Sequence, residues 1–101
     1  MDEATLFQLL RTTGLPVAYH HFVSPPSPPY VVYLFSYSSN FGADNKVYED
    51  FKNFQVELYT KAKDLASEKL IEDLFNTNDI YGEKTETYIE SEGLYQVLYE
   101  I

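Results

Sequence analysis

Two adjacent histidines, His20 and His21, are the residues whose type first suggests metal or acid–base chemistry. Zinc sites need three or four ligands, and adjacent residues on an extended segment point to opposite faces. The pair therefore reads as a surface or hydrogen-bonded pair, with one ring against Tyr19 or Tyr30, and not as a metal site. Glu86, Glu90 and Glu92 form the densest acidic cluster. Paired carboxylates do general acid and base work where their surroundings separate their pKa values, but these three flank a hairpin turn and read as solubilising. Asp44, Asn45 and Asp50 lack the spacing and the glycine of a calcium loop, and the first two read as turn residues. With no cysteine, disulfides, thiolate nucleophiles and thiolate metal sites are excluded. The four glycines are scattered and no serine sits in a nucleophile elbow. No catalytic, cofactor-binding or metal-ligating residue is assigned, and the chain is not expected to be an enzyme.

The elements that would carry any surface are organised around Tyr30 to Tyr59. Pro29–Tyr37 and Phe51–Tyr59 are rich in β-branched and aromatic residues and read as two strands. The second alternates, with Phe54, Val56 and Leu58 on one side and Gln55, Glu57 and Tyr59 on the other. Between them, residues 38–45 are dense in turn formers and read as a projecting loop in which Phe41 either meets a partner or folds back on the core. Upstream, Asp2 can cap a helix with Leu6, Leu9, Leu10 and Thr13 at helical spacing, and Gly14 with Pro16 stops it. Leu15 to Val23 can form a short edge strand. Four prolines in Ser24–Pro29 fix φ and remove donors, which makes this segment an extended lead-in. Downstream, Asp64 or Ser67 can cap a second helix whose apolar set is Leu70, Ile71, Leu74 and Phe75. Its Glu68, Lys69, Glu72 and Asp73 read as a solvated face. Thr85–Ile89 and Leu94–Ile101 form a hairpin around Glu90–Gly93.

The order α-β-β-α-β-β with hairpin connections predicts an α+β fold, a four-stranded antiparallel sheet with two helices packed on one face, in one domain spanning residues 1–101. Tyr33, Tyr37, Tyr59, Tyr88 and Tyr99 are too many for so small a core, and tyrosine is favoured at interfaces. Tyr33, Tyr37 and Tyr59 on the sheet, with Phe41 and Asp44 in the loop, are therefore the candidate protein-interface residues. A hydrophobic fraction of 45% predicts folding. Sixteen acidic against seven basic residues give a net charge of -9, which disfavours nucleic-acid and anionic-membrane partners. No run is long enough to span a bilayer and no basic region with an apolar stretch opens the chain, so a soluble, cytoplasmic protein without specific nucleic-acid binding is expected.

Residues 14–22, 28–30, 40–48, 54–61 and 89–101 carry a resemblance. Gly14-Leu-Pro-Val-Ala-Tyr-His-His-Phe22, Asn40-Phe-Gly-Ala-Asp-Asn-Lys-Val-Tyr48 and the closing run from Ile89 to Ile101 are its longest phrases. In their order and in overall length they resemble the phage and prophage head-tail joining, or tail-completion, proteins of long-tailed phages of Gram-positive bacteria, which are similar to tail terminators. The resemblance implies a structural protein that forms a homo-oligomeric ring, often a hexamer, at the head-proximal end of the tail tube. Its partners would be the tail-tube and head-connector proteins, first in the host cytoplasm and then at the virion head-tail junction. It supplies no catalytic residues and no cofactor. The alternative is an acidic cytoplasmic adaptor or inhibitor module that binds a basic protein partner.

Overall fold

Helix α1 (Glu3–Arg11) starts where the sequence supplies a cap: the Asp2 carboxylate accepts from the Thr5 N–H at 2.8 Å. It ends where Thr12 and Thr13 turn their hydroxyls onto the carbonyls of Leu9 and Leu10, and Gly14 takes φ +83°. Its inward stripe is Leu6 and Leu10, both fully buried. The computed structural model describes residues 1–38 and 52–101.

The elements that follow are β1 (Val17–Tyr19), β2 (Tyr30–Ser38), β3 (Lys52–Thr60), α2 (Leu65–Thr77), β4 (Glu83–Ile89) and β5 (Leu94–Glu100). They give an α+β fold with two helices and one five-stranded mixed sheet in the order β1-β2-β3-β5-β4. This corrects the expectation of four antiparallel strands. The region from Leu15 to Val23 does supply an edge strand, but only Val17–Tyr19 of it pairs, and it pairs parallel to β2. The reason lies in residues 20–29. A tight hairpin would reverse the chain, whereas this longer proline-containing connection carries it back to start β2 in the same direction. Two bonds bracket the parallel pair: the Val31 N–H donates to the Pro16 carbonyl and the His20 N–H to the Tyr33 carbonyl, each at 2.8 Å. The remaining pairs are antiparallel. A register shift between Phe35 and Tyr37 marks an irregularity late in β2.

Register defines two faces. On one, Val31, Leu58 and Val97 lie side by side across the three central strands, and Tyr33, Val56 and Tyr99 form the next row. All six are buried, and Leu6 and Leu10 of α1 with Ile71 and Phe75 of α2 close over them, so both helices do cover the same face. Each fully buried aliphatic side chain contributes about 1.5–3 kcal/mol. On the other face lie Tyr30, Val32 and Leu34 of β2, Gln55, Glu57 and Tyr59 of β3, and Gln96 and Leu98 of β5, and among the described residues no helix lies against them. The alternation of β3 expected from its sequence is observed on both faces. No helix among the described residues is long and apolar enough to cross a membrane.

One close approach fixes where β4 begins. A Cβ added at Gly82 would sit 1.9 Å from the backbone carbonyl oxygen of Glu100. At Gly14 a Cβ meets nothing within 4 Å, and only the positive φ opposes a side chain there. Gly14→Ala should therefore cost about 1 kcal/mol. Gly82→Ala must push β4 off β5 and should cost about 2 kcal/mol or more. Thermal unfolding of the two variants checks the order: equal shifts in Tm would contradict the backbone approach at Gly82.

Candidate functional site

The buried stripe of α2 is not the one its leucines suggest. Ser67, Glu68, Ile71 and Phe75 are buried, while Leu70 is 46% exposed. Asp64 is the cap, accepting from both the backbone N–H and the hydroxyl of Ser67. Glu68, expected on a solvated face, is 3% exposed. A buried carboxylate must be paired. Its Oε2 lies 2.7 Å from Lys63 Nζ, and its Oε1 lies 2.8 Å from Lys84 Nζ, a charge contact and not a well-directed hydrogen bond. Lys63 also reaches Glu86, and Lys84 reaches Glu72 at 2.7 Å. Glu72 in turn accepts from the Tyr99 hydroxyl at 2.7 Å. The result is a chain of alternating charge that ties α2 to β4 and β5. Burial raises the pKa of Glu68, but the two lysines outweigh it and hold the carboxyl below its ordinary value; the same balance, with Lys84 and the Tyr99 hydroxyl, lowers Glu72.

The candidate interface residues fall in different places. Tyr33 is corrected from the exposed sheet surface to the core. It is 2% exposed, its ring lies against Phe7 and edge-on to Tyr19, and its hydroxyl donates to Glu3 at 3.1 Å. Burial and the Glu3 carboxylate push its pKa up to about 12. Tyr99 is likewise buried, so the surplus of tyrosines is partly absorbed by pairing two of them with distant carboxylates. Tyr59 is half-buried on the helix-free face. Its ring stacks on Tyr30 at 5.2 Å, and its hydroxyl accepts from Gln96 Nε2 at 2.9 Å and donates to Glu57 at 2.8 Å. Burial, then Glu57, raises its pKa to about 12. Tyr37 lies in β2 opposite Asn53 in register, and Phe41 and Asp44 lie outside the described residues.

Three of the surfaces open among the described residues suit a partner. The first is the helix-free face, where Leu34, Glu57, Tyr59, Gln96 and Leu98 are half-buried. The second is β4, an edge strand exposed along nearly its whole length, with Tyr88 at 50% exposure leaning on Tyr95. The third is a hollow of about 450 Å³ between the proline tract and the β4–β5 turn, floored by Tyr30 and walled by Pro25, Lys61 and Glu92. A smaller hollow of about 140 Å³ adjoins it beneath His20, His21 and Phe22. The histidines are exposed, as expected, but do not diverge: His20 takes φ +66°, the strand alternation breaks, and the two Nδ1 atoms meet at 3.1 Å. The expected contact of one ring with Tyr19 or Tyr30 is replaced by this mutual one. The arrangement offers contact area and hydrogen-bonding groups. Among the described residues, no group of three or more His, Cys, Asp or Glu side chains is placed to hold a metal ion.

Sequence reasoning missed Glu68 although a signal was present: positions 68, 71, 72 and 75 share one helical stripe. Glu68→Gln should destabilise the fold by about 1–3 kcal/mol, because each lysine loses one of its two carboxylates and a neutral amide replaces the buried charge. Glu68, Glu72 and Asp64 all have lowered pKa values in the folded state. Such groups stabilise above the unfolded carboxyl pKa of about 4.3, and that contribution is lost as pH falls through the folded values. Urea unfolding from neutral to acid pH should show stability falling in this range, with a shallower fall for Glu68→Gln. Parallel curves would assign the acid loss to other carboxylates.

Comparison with known proteins returns no matching family model, no matching curated protein and no matching solved structure.

Proposed function

We propose that the chain is a structural virion-assembly protein that caps a phage tail tube and joins the tail to the head connector, acting as a ring of identical copies, six by resemblance. The observation that carries the reading is one-sided coverage. Both helices lie on one face of the sheet, and among the described residues no layer covers Leu34, Glu57, Tyr59, Gln96 and Leu98 on the other. A large, shallow, mixed polar and apolar face suits protein contact better than a small substrate. The two edges of the sheet also differ: β1 is three residues long and parallel to its neighbour, β4 is seven residues long and antiparallel. Contacts between unlike surfaces of identical chains are heterologous, the kind that closes into rings.

The alternative is an acidic adaptor or inhibitor module for a basic protein. It draws support from Glu57, Glu83 and Glu100 on the helix-free face, where Glu83 stands directly opposite Glu100. Like charges in that position repel, and a basic partner would relieve them.

Charge constrains the ring. At -9 per chain, six copies carry on the order of -50 before counter-ions, which opposes close assembly. The isolated protein should be monomeric or weakly associated at low salt and should assemble as salt screens the charge or a tube end templates it. Light scattering across a salt series checks this, and a complete ring already present at low salt would refute it. The role itself is tested by negative-stain microscopy of a phage lacking the gene, with complementation by the intact gene. Filled heads beside detached or overlong tails support the joining role. Normal virions would reject it in favour of the adaptor.

A further inference from the structure

His20 and His21 are held in an arrangement that ordinary strand geometry forbids. The His21 N–H donates to the Tyr19 carbonyl at 2.7 Å, which with φ +66° makes a γ-turn centred on His20. This turn is strained for a residue with a side chain. The His20 N–H is simultaneously tied to the Tyr33 carbonyl of β2 at 2.8 Å, so the sheet fixes the backbone on which both imidazoles stand. The rings are perpendicular, 5.3 Å apart between centroids, exposed, and face each other through Nδ1 at 3.1 Å.

That separation matches a chelate. Two imidazole nitrogens bound to one ion at about 2.0–2.1 Å stand about 2.9 Å apart at a right angle and about 3.3 Å apart in a tetrahedron. The observed 3.1 Å lies between these values. We infer that His20 and His21 form a bidentate surface site for a divalent transition metal, bound through Nδ1 of each ring with water in the remaining positions. Copper(II), highest in the affinity order for nitrogen ligands, is the ion it holds most tightly. For the metal-free pair to hydrogen-bond at this distance, one ring must carry its proton on Nδ1 and the other must present a lone pair there. On binding, that proton moves to Nε2 of its own ring, so two neutral imidazoles present two lone pairs and no proton is lost from the pair. No third His, Cys, Asp or Glu side chain among the described residues completes a closed metal cage, which makes the site open and exchangeable. The net charge of -9 raises the local concentration of cations.

The test is copper(II) titration of the full chain in a non-coordinating buffer, followed by calorimetry and electron paramagnetic resonance. One ion should bind per chain with hyperfine splitting from two nitrogens. His20→Gly suits the left-handed backbone and keeps the turn while removing one ligand; His21→Ala removes the other. Each should weaken binding at least about tenfold and lose one nitrogen from the spectrum, with circular dichroism unchanged from the parent. Oxygen-only ligation in the parent chain, or full affinity in His20→Gly, would overturn the inference and assign the ion to surface carboxylates.

Discussion

A carboxylate almost withdrawn from water sets the position of α2, and much of the layered structure follows from it. Glu68 is buried beside Ile71 and Phe75, so the helix can seat only where two cations come to meet it. Lys63 comes from the connector before α2 and Lys84 from β4. This turns the helix so that Leu70 faces out and Phe75 lies edge-on to Tyr99. It also anchors β4, which among the described residues pairs in the sheet with β5 alone. The lysines are each nearly half exposed, which lowers the desolvation cost of the cluster relative to a fully enclosed triad. What the network adds most clearly is orientation: an apolar stripe alone tolerates rotation of a helix, whereas a carboxylate between two ammonium groups does not.

The parts of the fold legible in the sequence are those decided by near neighbours. The alternation of Phe54, Val56 and Leu58, the caps at Asp2 and Asp64 and the turn closed by Gly93 all depend on residues a few positions apart, and all are observed. What was not legible depends on distant partners. Tyr33 and Tyr99 read as surplus aromatics until Glu3 and Glu72 are seen to take their hydroxyls. The parallel placement of β1 depends on the path of residues 20–29, which composition marks as extended but does not aim. The convergence of His20 and His21 rests on a positive φ at His20, a conformation uncommon outside glycine even though histidine is among the types that adopt it more readily.

The two faces of the sheet divide the work of the molecule. The covered face is committed to stability through rows of aliphatic and aromatic side chains. The open face keeps polar groups such as Glu57, Tyr59 and Gln96 connected to one another, so their hydrogen bonds are satisfied without a partner and need not be rebuilt when one arrives. Between these polar groups the face presents apolar area from Leu34 and Leu98.

The strand order has a consequence for how the chain reaches this state. β5, last in sequence, is not an edge but the strand between β3 and β4. The backbone pairing of Phe54 with Ile101, in both directions, extends that seam to its end. Until β5 exists, β3 is a bare rim with Phe54, Val56 and Leu58 open on one flank, and β4 has nothing to pair with. During synthesis that edge stays open from the completion of β3 until β5 follows, and β5 then seats between β3 and β4. The sheet closes from the inside.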